Sequence, residues 1–162
     1  MADATCASVL PSLITAGAGL LGVIVGAAST QSVAWWQKRR RQMGHWRALS
    51  AEVEICKDLA NAYIRDRVLA PLYRLPALAY EEGFPPMLAD GILREDEVRA
   101  LLYFYNVVEQ FNRGLDQAHQ AAINEQAERL DREAGRIKLK AHELVDTDKL
   151  YDKVRAVVSS HL

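Results

Sequence analysis

Between Asp3 and Lys38 the chain carries no charged side chain, and Lys38, Arg39, Arg40 and Arg41 then follow without a gap. No other stretch limits the fold so strongly. From Pro11 onward roughly 25 residues are available, enough at ~1.5 Å per helical residue to cross a hydrocarbon core of ~30 Å. Leu10, Leu13, Ile14, Leu20, Leu21, Val23, Ile24, Val25 and Val33 supply apolar bulk. In oil a helix satisfies its own backbone groups, and Pro11 suits a first-turn position. The expectation is a transmembrane helix over residues 9–36, a short extracytoplasmic segment 1–8 before it and a basic juxtamembrane segment 37–44 after it. Trp35 and Trp36 are expected in the headgroup layer, with Lys38, Arg39, Arg40 and Arg41 on the cytoplasmic side, where cations also hold anionic headgroups. The bilayer is thus the first expected partner.

A cleaved signal peptide would place its positive charge ahead of the apolar run. Here only Asp3 precedes it, which favours an uncleaved anchor. Ala18, Gly22, Gly26 and Thr30 recur every four residues, a small-residue face that lets two helix backbones approach in lipid. Self-association through this face is expected. Gly17, Gly19 and Gly22 also match the dinucleotide fingerprint G-x-G-x-x-G, but that motif needs a preceding strand and a later acidic residue, and neither is present.

Residues 45–162 read as a helical cytoplasmic domain. Setting residues 1–41 aside leaves 16 basic and 20 acidic side chains, a net charge of about −4, which excludes an evenly basic nucleic-acid face. Trp46, Leu49, Val53, Cys56, Ala60 and Tyr63 alternate three and four residues apart, and predict a helix near 46–69 that ends before Pro71. Gly44 is the first plausible break ahead of it. Residues 70–94 are expected to be an irregular connection, with short turns over Leu75–Tyr80 and Pro86–Asp90 and with Gly91 as a helix cap. Glu95, Asp96 and Glu97 open a helix near 95–118, whose core face is Leu101, Phe104, Val108, Phe111 and Leu115. A narrow face through Ile123, Ala127, Leu130, Ala134, Ile137, Ala141 and Leu144 predicts a helix near 122–145. Leu150, Val154 and Val157 predict one near 148–159. The fold class is therefore all-α: a membrane helix followed by a small antiparallel bundle.

The order of a single apolar span, an acid-bearing amphipathic helix, Leu75-Pro76, Ala79-Tyr80, Gly83, Leu88-Ala89-Asp90-Gly91, Phe104-Tyr105 and Asn112 resembles a diffuse group of uncharacterised bacterial single-pass membrane proteins. The resemblance covers most of residues 10–116. It implies a bacterial inner-membrane setting with the N-terminus outside, and it carries no activity to transfer.

Chemistry-bearing motifs are sparse. His45, His119, His142 and His161 are widely separated, and the pairs Asp116/His119 and His142/Asp146 each supply half of a metal site at best. The metalloprotease H-E-x-x-H, the nucleophile elbow G-x-S-x-G and the Walker phosphate loop do not occur. Cys6 and Cys56 make no disulfide framework. No cofactor, metal or catalytic residue is expected. The expected function is a non-catalytic, membrane-anchored module for protein–protein contact, with Ala18, Gly22 and Gly26 as contacts in lipid and Ile123, Leu130 and Ile137 in water. The alternatives are a pore-forming or lysis-type oligomer, disfavoured because only Ser12, Thr15 and Thr30 offer polar lining, and an unrecognised enzyme.

Overall fold

A computed structural model describes the backbone of residues 6–66, 74–146 and 150–162, and the side chains from residue 30 onward. The described residues form α1 (Cys6–Asp66), α2 (Leu78–Ala89), α3 (Glu95–Ile123), α4 (Ala127–Val145) and α5 (Leu150–Ser159), with no strand among them. The chain is all-α. Residues 1–41 and 42–162 form two compact units, and α1 contributes to both.

Within residues 42–162 the heptad spacing turns directly into a core. Trp46, Leu49, Val53, Cys56, Ala60 and Tyr63 of α1 are all buried, as are Leu101, Phe104, Val108, Phe111 and Leu115 of α3. They meet Ile137, Ala141 and Leu144 of α4 and Leu150, Val154 and Val158 of α5 in one cluster. Tyr63 and Phe111 meet edge to face, with ring centroids 5.3 Å apart. Each apolar stripe covers one side of its helix, so burial of that side orients the helix in the bundle.

The helix ends follow local chemistry. At the end of α2, the N–H of Ile92 bonds the Met87 carbonyl and the N–H of Gly91 bonds the Leu88 carbonyl, with Gly91 at φ 66°. Gly91 is the expected cap, and its two bonds are those of the Schellman motif. The same pattern closes α3: Gln126 N–H bonds Ala121 O and Glu125 N–H bonds Ala122 O, but here the left-handed residue is Glu125, at φ 55°. That turn separates α3 from α4 and lets them pack as neighbours.

Several expectations are corrected. α1 passes through Gly44 without a break, since a glycine inside a helix costs only about 1 kcal/mol relative to alanine and does not by itself end it. The connection expected to be irregular over 70–94 holds α2, a single helix that runs through Pro85 and Pro86. Gly83, Phe84 and Met87 are buried and anchor that helix. α3 extends five residues past the expected 118, and Ile123 sits on its exposed end rather than on the α4 face. The expected end of the first helix near Leu69 lies outside the described residues. Among the described residues no helix is long and apolar enough to cross a membrane. The span expected over 9–36 falls mainly on residues 9–29, outside the described side chains.

Two glycines make the packing testable. A Cβ on Gly114 would stand 2.7 Å from Ile137 Cγ1 across the α3–α4 contact, whereas a Cβ on Gly135 would meet nothing within 4 Å. Gly114→Ala should destabilise by about 1–3 kcal/mol through overpacking, and Gly135→Ala should stabilise by about 0.5–1 kcal/mol through helix propensity. Urea unfolding of the full chain in mild detergent, followed by circular dichroism, reads the opposite signs.

Candidate functional site

α2 begins without a capping side chain of its own, since its N-cap residue is Ala77. The missing acceptor comes from α1. Glu52, only 5% exposed, takes the N–H of Ala79 at 2.7 Å on Oε2 and the N–H of Tyr80 at 3.1 Å on Oε1. The Tyr105 hydroxyl of α3 donates to Oε1 at 2.7 Å. One carboxylate thus ties three helices together, at a helix N-terminus where negative charge is favoured. The Tyr80 ring stacks on Tyr105 with centroids 3.9 Å apart, and on Phe84 at 4.8 Å.

The segment leading into α2 is held the same way. Asn112 of α3 accepts the Leu75 N–H and donates to the Leu75 carbonyl, both at 2.8 Å, so its amide imitates a paired backbone. The Cys56 thiol donates to the Pro76 carbonyl at 3.3 Å. Arg74 and Asp116 pair at 2.6 Å on the surface. The lack of a Cβ on Gly83 lets His45 of α1 approach, with Nδ1 only 3.3 Å from where that atom would stand. Some of the short sequence features quoted above meet here: Leu75-Pro76, Ala79-Tyr80, Tyr105 and Asn112 make these contacts and Gly83 packs against His45, whereas Leu88, Ala89, Asp90 and Gly91 are exposed.

Its electrostatics are those of a structural clamp. Burial, and then the Glu52 charge, push the Tyr105 hydroxyl well above the usual phenol range. The same two causes raise the Cys56 thiol. Both groups stay protonated at neutral pH, so neither offers an activated nucleophile or a ready general base.

A second buried carboxylate lies at the start of α3. Glu97, 1% exposed, accepts the Arg94 backbone N–H at 2.8 Å and lies 3.0 Å from the Arg94 guanidinium and 3.1 Å from His161 Nε2. Burial works against its ionisation. The Arg94 N–H, then His161, then the Arg94 charge outweigh that and hold the carboxyl below the usual range.

The predicted site residues fall as follows. Trp35 and Trp36 are exposed, 59% and 65%, and Lys38, Arg39, Arg40, Arg41 and Thr30 are exposed beside them on α1. The Arg39 guanidinium lies over the Trp35 ring, 5.4 Å from its centroid. Ala18, Gly22 and Gly26 lie outside the described side chains. The contact face expected through Ile123, Leu130 and Ile137 does not exist as one surface: Ile123 is exposed on α3, Leu130 is half-buried, and Ile137 is buried against Gly114. The large apolar side chains left outside on α3 and α4 are instead Leu102, Tyr103, Ile123 and Leu139, the last of which lines a shallow cleft of about 420 Å³ with Asn106, Gln110, Arg113 and Arg136. His142 and Asp146 pair at 2.8 Å, while Asp116 is engaged by Arg74. Among the described residues no three potential metal ligands cluster. Comparison with protein-family models, curated proteins and solved structures found no match for this chain.

Glu52→Ala strips the acceptor from two backbone N–H groups and one buried hydroxyl, and should destabilise the fold by about 3 kcal/mol. Tyr105→Phe, which removes a single donor, should cost about 1–2 kcal/mol. Both are read by urea denaturation. An effect of Glu52→Ala no larger than that of an exposed-site change would refute the clamp.

Proposed function

We propose that this chain is a single-pass protein of a bacterial inner membrane, with its N-terminus outside and its helical body acting in the cytoplasm as a protein–protein contact or assembly module. One observation carries the reading: a charge-free stretch closes on two exposed tryptophans and four consecutive cations. The whole of residues 9–36 belongs to the helix Cys6–Asp66, and at ~1.5 Å per residue it reaches roughly 40 Å, more than a hydrocarbon core requires. A helical turn is about 3.6 residues, so Lys38 to Arg41 encircle the helix as a basic collar one residue beyond the tryptophan pair. Such a collar resists translocation and attracts anionic headgroups. Ala18, Gly22, Gly26 and Thr30 are the face for self-association in lipid. A non-catalytic role agrees with a buried polar junction whose tyrosine and cysteine are held protonated.

In cells, the chain should pellet with membranes and resist carbonate extraction. Protease added outside intact spheroplasts should leave residues 42–162 uncut, and lysis should expose them. A chain that stays dissolved without detergent, or whose body is digested from outside, ends the reading. Gly22→Ile and Gly26→Ile should each weaken self-association by about 1 kcal/mol or more in a membrane two-hybrid assay. Unchanged signal would remove the dimerisation face while leaving the anchor intact.

A further inference from the structure

α2 and α4 leave complementary stripes uncovered. On α2, Leu78, Glu81, Pro85 and Leu88 follow one another three, four and three residues apart, so they share one side of the helix, and all are exposed. Leu78 is 64% exposed and Leu88 50%. Glu82 stands beside them, and no cation occurs between Arg74 and Arg94. On α4, Arg129, Arg132, Arg136 and Leu139 repeat the same spacing and are also exposed, Leu139 to 70%. Glu128 lies at the start of this stripe and Asp131 about a quarter-turn aside, so the stripe keeps a positive balance.

The charges on these stripes are little used inside the molecule. Among the described residues neither Glu81 nor Glu82 meets a cation, and Arg132 meets no acid. Arg129 touches only the Gln126 amide, at 3.4 Å. One copy cannot join its own two stripes. α2 packs on α3 through Tyr105, and α4 packs on it through Gly114. These two residues are nine apart, which at about 100° per residue places them on opposite sides of α3. α3 therefore stands between the acidic stripe and the basic one.

We propose that the body of this chain binds a second copy of itself, the acidic α2 stripe of one copy lying on the basic α4 stripe of the next.

Glu81 and Glu82 then face the arginines of α4, and the leucines at the stripe ends leave water. In a parallel alignment Leu88 on Leu139 also sets Glu81 beside Arg132, because seven residues separate each pair. Exposed ion pairs contribute little one at a time. A complementary set of them fixes register and rejects wrong partners, while the leucines supply apolar burial. After one contact has formed, each copy still has one stripe to offer. Such a head-to-tail contact builds a ring or a chain rather than only a pair. Two stripes of about three turns make a small interface, at the low end of specific ones, so assembly follows concentration. A second copy is thus the partner of the assembly module proposed above, and this inference rests on that reading. It does not use the lipid-facing glycines, and every residue in it lies within 42–162.

The test uses the full chain in a mild uncharged detergent, with Gly22→Ile and Gly26→Ile carried throughout to silence the small-residue stripe. Sedimentation equilibrium should show association that grows with concentration beyond a dimer, and that is about tenfold weaker in about 0.5 M salt than in about 0.05 M. Glu81→Lys with Glu82→Lys makes both stripes basic, and Arg129→Glu with Arg132→Glu makes both acidic. Arg136 is left in place because it pairs with buried Glu133. Each variant alone should associate about tenfold more weakly than the parent, since like charges now meet. An equimolar mixture of the two should associate again, to within about threefold of the parent, because every basic stripe finds an acidic one. A misfolded variant is not rescued by mixing. The proposal is overturned if the parent stays monomeric, if the two variants associate as the parent does, or if their mixture associates no better than either alone. A monomeric parent ends self-assembly of the body and leaves the assembly reading with a different protein as partner.

Discussion

The bundle depends on a carboxylate that one helix lends to another. α2 has no cap of its own, and an uncapped helix start buried in a protein leaves donors that water cannot reach. Glu52 supplies the acceptor from α1 and at the same time receives the Tyr105 hydroxyl of α3. A buried carboxylate is tolerable only when its oxygens are filled with hydrogen bonds. Here three donors fill them, so the charge that opposes burial also fixes the register of α1, α2 and α3. Asn112 repeats the logic one step earlier in the chain, where its amide completes the backbone bonding of Leu75.

Around this polar junction the packing is ordinary helix-bundle physics. Alternating three- and four-residue spacing gives each helix one apolar side, and Gly114 lets α4 come close enough for Ile137 to sit against the α3 backbone. Polar and apolar parts play different roles. The apolar stripes supply the gross driving force, which is nearly indifferent to small rotations of one helix on another. The buried carboxylates Glu52 and Glu97 penalise every arrangement that leaves them unpartnered, and so help select a single one.

The two units follow different sequence constraints. In residues 1–41 the constraint is the exclusion of charge, closed by aromatic and basic side chains exposed on α1. In residues 42–162 it is the alternation of apolar and charged positions. The proposed role rests on surfaces: a small-residue face in lipid, and in water the helical body of residues 42–162.

What the amino-acid order determined by itself was local and periodic. Every residue of the heptad stripes read on α1 and α3 is buried, because which side of a helix is apolar depends only on spacing, although α3 also buries residues outside its stripe, among them Glu97, Tyr105 and Ala118. Gly91 was legible as a cap because a left-handed residue favours glycine. The boundary between α3 and α4 was blurred because the equivalent residue there is Glu125, which carries no such signal. Only the tertiary structure decided the rest. Ile123 looked like part of the α4 stripe, yet the turn at residues 124–126 leaves it outside. Nothing in the spacing sets Glu52 apart from the other acids of its amphipathic helix, and His161 was one of four widely separated histidines. Their partners lie 27, 28 and 53 residues away for Glu52 and 64 for His161 and Glu97. A spacing rule sees a few helical turns at most. Contacts that span the whole bundle exist only once the helices have packed and desolvation has made each unpaired polar group expensive.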